Sequence, residues 1–569
     1  MPPPPPRIYE STFASAAIPH HESFWQCMQR RNVDDTTPDT VILQEHERPE
    51  KYFTYGSAPR LAGLGADGLK SVLGLKRGDT ILIVGTNTLD YLHIEFSALW
   101  GGIVAALGNA SATTNDLLHL IETAQPAAIF VDMGPLMASM TSAIAQSSQP
   151  KTRLVGIGER GTATLSFPAD FVKDEAAEPL EGPLDLSSVD NHSVPALICF
   201  SSGTTSGRPK AAVLSHFNVL AYPILYRASE PTTANRSQRD VFYAPLAHIY
   251  GVFVATTMPV FTGGYVRLLR SYTLPAYLQA CSEHKATTLR VVPPTLVAMV
   301  KLLQSGEGQS LDLSGVQNIV CAGAMLGPEM IRAVHQLLGQ DVAIVQAYGM
   351  TEGLATIVSR FAASRKQGSV GRPVSGGRMR VLDDNLIDVA PGETGEIFIS
   401  SPTVFMEYKN DVATTADAFP LNDLGTNAHA VSFLRTGDVG HVDADGFLWL
   451  TDRKKDMIKY KGHQVSPAEL ENLLHSHPLV QEAGVCASWD AVQQTEVPVG
   501  YVNFVPSVGH DERSAVREKV RAFVDGQVVP QKKLRGGLFY LAEMPRTATG
   551  KLLRRNLPAR LEAARTSKL

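Results

Sequence analysis

Between Asp79 and Leu450, short apolar runs alternate with helix-length amphipathic segments, and no other feature restricts the fold as strongly. The runs read TILIVG, AAIFV, ALICF, TLRVV, NIVCAG and VAIVQAYG. Runs this short, separated by helical stretches, imply βαβ units in which helices cover both faces of a parallel sheet. The expected architecture is therefore α/β, with a large N-terminal domain of parallel sheets covered by helices. Ligand sites belong at the carboxyl ends of such strands. At 569 residues the chain exceeds what one core organises, so a further domain is expected.

That further domain begins where the pattern changes, near Asp452. The segment GHVDADGFLWLTDRKKDMIKYKG (440–462) reads as strand, Asp445-Gly446 turn, strand and then a basic stretch. SPAELENLLHSH predicts a helix with Ser466 as N-cap, Pro467 at its first position and Glu469 closing a full capping box. EAGVCAS, VGYVNFVP and ERSAVREKVRAFVDGQV complete a β-α-β-β-α unit of about 110 residues. The expected division is 1–451 for the large domain and 452–455 for a hinge. A small mobile α+β domain would cover 456–562, followed by a tail at 563–569.

Bulk properties exclude several classes. The 51 basic and 56 acidic residues leave a net charge of −5, giving no general attraction to nucleic acid or anionic membrane. No apolar run reaches the roughly 18 residues of a membrane span. The five cysteines are scattered and include no C-x-x-C pair, against a disulfide framework or a structural zinc site. The last three residues, Ser567-Lys568-Leu569, match the peroxisomal address S-K-L, so an import receptor is an expected partner.

The chemistry concentrates after ALICF. Cys199–His216 reads CFSSGTTSGRPKAAVLSH. Glycines let backbone N–H groups approach anionic oxygens, hydroxyls donate further hydrogen bonds, and Lys210 adds a charge. Together they suit a polyphosphate. The stretch is not a Walker A loop, because Pro209 precedes Lys210 and neither serine nor threonine follows it.

Three more motifs follow in order: YGMTEG (348–353), RTGD (435–438) with DRKKDMIKYKG (452–462), and PRTATGK (545–551). Taken together the four resemble the adenylate-forming superfamily. That superfamily contains acyl-CoA synthetases, 4-coumarate–CoA ligase-like enzymes, firefly luciferases and nonribosomal adenylation domains. The resemblance spans about residues 40 to 560. It implies an enzyme that joins a carboxylic acid to AMP at the expense of ATP, with Mg²⁺, and then passes the acyl group to coenzyme A.

The same resemblance assigns roles. Ser201, Ser202, Gly203, Thr204, Thr205 and Lys210 would wrap the β- and γ-phosphates. Thr351 would bond the α-phosphate, Glu352 would hold Mg²⁺, Tyr348 would lie by the adenine and Gln346 would join the nucleotide site. Asp438, helped by Arg453, would accept the ribose hydroxyls. Lys551 would bridge the carboxylate and α-phosphate during adenylation. Lys455 marks the hinge about which the small domain would turn, bringing Lys459, Lys461 and Gly462 to the coenzyme A path. His248, Tyr250, Val254, Ala324 and Ala347 would line the acyl pocket, suiting an aromatic or medium-chain aliphatic acid.

Some positions depart from the family pattern. The phosphate loop is one residue longer, Ala211 and Ala347 stand where glycines are usual, and Met325 stands where a proline is usual. Two further functions remain open on these motifs. One is a luciferase-like monooxygenase acting on its own acyl-AMP, and the other is a stand-alone adenylation enzyme that loads a carrier protein.

Overall fold

The structure is a computed structural model that describes residues 6–159, 161, 164–201, 208–306, 310–322, 326, 328–421, 432–547 and 550–566. The expected strands form. TILIVG becomes Thr80–Gly85, ALICF lies in Pro195–Phe200, and VAIVQAYG lies largely in Ala343–Met350. They belong to two large sheets. In the nine-stranded sheet, six central strands (Val41–Glu45, Tyr265–Leu268, Arg239–Phe242, Thr288–Val291, Asn318–Ala322 and Ala343–Met350) run parallel.

The sheets are mixed rather than wholly parallel, and connection length explains the difference. Both edges of the nine-stranded sheet are antiparallel. In the eight-stranded sheet, strand Ala211–Ser215 returns antiparallel to Pro195–Phe200, with Ala211 opposite Phe200. The ten-residue connection from Ser201 to Lys210 is too short for a helical crossover, so it closes a hairpin. A third sheet of five strands, ending in Leu434–Val442 and Leu448–Arg453, is antiparallel throughout. Its last hairpin turns at Gly446, whose φ of +81° suits glycine.

Helix Leu89–Gly101 is buried along every residue from Leu89 to Trp100. The domain surrounds it, so apolar residues recur on every side of it. It carries two buried carboxyls: Asp90, paired with Lys51 at 3.1 Å, and Glu95, which is fully buried.

The C-terminal unit contains a hairpin (Ile458–Tyr460 with His463–Val465), helix Pro467–Ser476, strands Val480–Asp490 and Thr495–Phe504, helix Arg513–Asp525 and strand Leu538–Tyr540. Its own apolar core joins Ile458, Leu470, Val485, Val502 and Val520. Ser466 caps helix Pro467–Ser476 as expected, accepting from the Glu469 N–H at 3.3 Å. The reciprocal half of the capping box does not form, because the Glu469 carboxylate pairs with Lys532 at 2.6 Å. A cross-element ion pair has displaced the local bond.

Candidate active site

The carboxyl ends of the parallel strands open into one cavity of about 1580 Å³. Its wall draws on three sources. Ser201, Phe242, Val291 and Ala347–Glu352 come from the large sheets. Thr436, Asp438 and Arg453 come from the antiparallel sheet, and Lys459, Lys551 and Arg554 come from the C-terminal unit. The volume exceeds the 300–1,000 Å³ usual for one small ligand, so a nucleotide and a second molecule fit together.

Ser201 and Lys210 pair at the two ends of the 201–210 connection. The Ser201 N–H donates to the Lys210 carbonyl at 2.9 Å, and the Lys210 N–H reaches Ser201 Oγ at 3.3 Å. Ser202, Gly203, Thr204 and Thr205 lie outside the described residues, as does Ala324. Across the cavity, Glu352 Oε1 accepts from the Tyr408 hydroxyl at 2.6 Å. The Lys210 ammonium lies 4.9 Å from the centre of the Tyr408 ring. Tyr408 thus links the loop lysine to the acid, a role the sequence reading missed. Nothing in the surrounding MEYKN distinguishes it from a strand-edge tyrosine.

Asp438 sits at the centre of a second cluster. Its Oδ2 accepts from the Tyr348 hydroxyl at 2.6 Å, and its Oδ1 meets Arg453 Nε at 3.0 Å. Strand register creates this pairing, since Asp438 stands opposite Arg453 in the hairpin. Each carboxylate oxygen can accept a second hydrogen bond, leaving capacity for hydroxyl donors.

Lys551 enters the same space from the C-terminal unit. A tight loop holds it, with the Lys551 N–H on Thr547 Oγ1 at 3.1 Å and Gly550 at φ +81°. A Cβ at Gly550 would meet Val292 Cγ2 at 3.4 Å, so the loop rests on the large domain. Burial, then the charge of Arg453, push the Lys551 pKa down to about 8, with Asp438 opposing the shift. His248 is close enough to feel that charge: burial and Lys551 push its pKa down to about 4. Its Nδ1 accepts from the Tyr250 N–H at 3.1 Å, so the neutral ring carries its proton on Nε2.

Of the residues expected in the nucleotide and acyl sites, Gln346 and Val254 do not line the cavity. Gln346 is spent on backbone, with Oε1 accepting from Leu326 N–H and Nε2 donating to the Ser369 carbonyl. Val254 is fully buried in the core, and Phe253 lines the wall in its place. The cause is a π-helical turn, Val252–Thr257, whose wider winding shifts which side chains face inward. Tyr250, Ala347, Thr351, Lys455 and Lys459 do line the cavity. Lys461 and Gly462 are exposed at the hairpin turn, where a Cβ on Gly462 would meet nothing within 4 Å.

The junction between the domains has a clear division of partners. Lys454 binds back to the large domain, at 2.7 Å from Asp384 and 2.9 Å from buried Glu396. The Asp452 carboxylate instead takes bonds from Ser466, the Ala468 N–H and Arg554 of the C-terminal unit. Lys301 donates across the junction to the Val480 carbonyl.

Comparison with known proteins agrees with this geometry. The model of the AMP-binding enzyme family matches residues 30–409, and that of the AMP-binding enzyme C-terminal domain matches 469–551. The chain is 29% identical over 577 residues to 4-coumarate–CoA ligase 3 of Arabidopsis thaliana, covering 98% of this chain and 95% of that one. It is also 29% identical over 501 residues to peroxisomal OPC-8:0-CoA ligase 1 of Arabidopsis thaliana, covering 86% and 85%. Among solved structures, anthranilate CoA ligase AuaEII in complex with anthranoyl-AMP superposes with a TM-score of 0.82 at 22% identity, over 97% of this chain and 99% of that one. Two matched family models, covering both domains in order, place this chain in the AMP-binding enzyme family.

Proposed function

We propose that this enzyme is an ATP-dependent acid–thiol ligase that makes an acyl-AMP and then an acyl-coenzyme A thioester. The observation that carries the proposal is the convergence of Lys210, Glu352, Asp438 and Lys551 on one cavity with an apolar lobe beside them. In the first step a carboxylate oxygen attacks the α-phosphorus of ATP, and the bond to pyrophosphate breaks. Negative charge grows on phosphate oxygens, so catalysis rests on fixed cations rather than on a protein nucleophile. Lys551 stabilises the α-phosphate and Lys210 the departing pyrophosphate, while Thr351 donates its hydroxyl to the α-phosphate. Asp438 and Arg453 hold the ribose, and Tyr348 lies by the adenine. In the second step a thiolate attacks the acyl carbon and AMP leaves.

Glu352 fits Mg²⁺. It is an oxygen donor on the cavity wall, and its Oε2 makes no hydrogen bond among the described residues. Bound there, the ion would neutralise phosphate charge. Lys459 already lines the cavity along with Lys551, so turning of the C-terminal unit about Lys455 would carry Lys551 away and bring in Lys461 and Gly462, giving pantetheine a path past a residue without a side chain. His248, Tyr250 and Ala347 bound the acyl lobe, which suits an aromatic or medium-chain acid. Ser567-Lys568-Leu569 supports a peroxisomal location, as does the similarity to a peroxisomal ligase.

The test is to supply ATP and a panel of acids and ask what releases AMP. Release that requires coenzyme A supports the ligase. Release that requires O₂, with light or an oxidised acid, replaces it with a monooxygenase. Release only with a carrier protein replaces it with a loading enzyme.

A further inference from the structure

On the acyl side of the cavity Arg290 is a buried charge set among apolar and tyrosine side chains. Alternate residues of strands Arg239–Phe242 and Thr288–Val291 face opposite sides of the sheet. Val241, Leu289 and Val291 join the core under helices Leu274–His284 and Pro293–Gln304. Arg290 stands on the other face and lines the cavity, with Asp240 beside it on the neighbouring strand, while Val291 reaches the cavity only at the strand end. Arg290 Nε binds Asp240 Oδ2 at 2.7 Å, with side chains only 1% and 2% exposed. Gln238 donates to the same oxygen at 2.6 Å.

That pair leaves a donor fork open. Arg290 Nη1 and Nη2 have no hydrogen-bond partner among the described residues, yet Arg290 lines the cavity. The Tyr250 and Tyr226 hydroxyls lie near enough to the guanidinium to interact with it, but neither makes a well-formed hydrogen bond to Nη1 or Nη2. Tyr250 Oη and Tyr222 Oη, which line the same cavity, are themselves unpartnered, and Tyr226 Oη is engaged with Thr233 at 2.8 Å. On the remaining side the Phe253 ring centre lies 5.9 Å from the guanidinium carbon. Buried charged N–H groups without acceptors are expensive, so an arginine serving only the fold would have its fork occupied. The free end of a guanidinium matches two oxygens side by side, or one oxygen shared between two N–H groups.

We infer that the acid carries a second oxygen-bearing acceptor group, a carboxylate or a carbonyl, which Arg290 receives through Nη1 and Nη2 with Tyr250 beside it. The inference rests on the ligase reading and names the substrate class for the same site. Strand register sets the length. Val320 lies beside Arg290 and Val345 beside Val320, so Ala347 is two strands across and two residues along from Arg290. At about 4.8 Å per strand and 3.3 Å per residue, the two ends of the pocket floor lie roughly 12 Å apart. A medium-length chain or a ring between the two groups spans that distance.

The experiment measures kcat/KM for coenzyme A-dependent AMP release with acids of matched length: unsubstituted, ending in a carboxylate, and ending in a carbonyl. The wild type should prefer one or both oxygenated acids by about 10- to 100-fold. The two arms tell whether the acceptor is charged or neutral. Arg290→Met with Asp240→Asn removes both charges together, so no lone carboxylate is left buried. In this variant the preference should collapse toward unity. Arg290→Lys keeps the charge and loses the fork, and should lower the preference at least severalfold. The second variant keeps the test open if the first does not fold. No preference in the wild type, or a preference undiminished in both variants, overturns the inference. Acids activated without discrimination would leave the ligase reading standing, whereas no coenzyme A-dependent release with any acid would remove that reading itself.

Discussion

Lys551 and Gly462 lie on one small domain but should serve opposite half-reactions, because only one of them faces the cavity. Lys551 lines it, whereas Gly462 is exposed with open space around its Cα. Replacing Lys551 by methionine removes a cation from charge developing on the α-phosphate, a loss of about 2.7–4 kcal/mol, or 10²–10³ in rate. The structure adds a pH signature. Burial and Arg453 set the Lys551 pKa at about 8, so the free enzyme has this side chain roughly 90% protonated at pH 7 and roughly 10% at pH 9. The charged form is the one present below pH 8, so kcat/KM for ATP–pyrophosphate exchange should fall about tenfold between pH 7 and pH 9. Bound triphosphate favours the ammonium, so kcat should fall less over the same range. Thioester formation from synthetic acyl-AMP should survive in Lys551→Met. Gly462→Leu should do the reverse, with pyrophosphate exchange kept and thioester formation lost. Equal damage to both half-reactions in both variants would refute the reasoning about facing. A basic limb persisting unchanged in Lys551→Met would refute the assignment of the pKa.

Tyr408→Phe removes the hydroxyl that donates to Glu352 Oε1 at 2.6 Å. A hydrogen bond to a charged group is worth about 1.5–3 kcal/mol, so pyrophosphate exchange should drop at least tenfold, with a rightward shift in the Mg²⁺ dependence; an unchanged Mg²⁺ curve would leave Tyr408 a packing residue. Glu95 gives a stability prediction. Burial raises its pKa from 4.5 to about 8, partly offset by Thr256, so the folded state keeps a proton that the unfolded chain loses above pH 4.5. Stability is therefore lost as pH rises from 4.5 to 8, and Glu95→Gln should gain on the wild type by about 3 kcal/mol between pH 5.5 and 8. Thermal unfolding at the two pH values checks this, and a difference independent of pH would show that Glu95 ionises in place.

The strands were legible because each βαβ unit announces itself within about thirty residues: an apolar run, then an amphipathic one. Strand direction at the sheet edges was less so. Ala211–Ser215 is as apolar as its parallel neighbours, and only the short connection before it tells that it must turn back. The capping box at Ser466 failed for a different reason. Its sequence is complete, but a lysine 63 residues away competes for the Glu469 carboxylate. Local pattern states which bonds are available, and tertiary placement decides which of them form.

The site divides along the same line. Asp438 and Lys551, which line the cavity, stand out in the sequence because glycine turns and charges cluster around them. Tyr408, Phe253 and Arg290 do not, since each gains its position from something remote. Tyr408 is brought to Glu352 when strand Glu407–Tyr408 pairs with Ala211–Ser215, the strand leaving the phosphate loop. Phe253 replaces Val254 because a helical turn winds wide. Arg290 sits in TLRVV, where a single charge in an apolar run suggests an edge position facing water. Strand order puts it instead near the middle of nine strands, beside Asp240 on the neighbouring strand. A charge held there needs a partner for every donor, and among the described residues only Nε has a well-formed hydrogen bond. The motif residues that line the cavity can therefore be picked out of the sequence, while the place of Arg290 in its wall appears only after the sheet has closed around it.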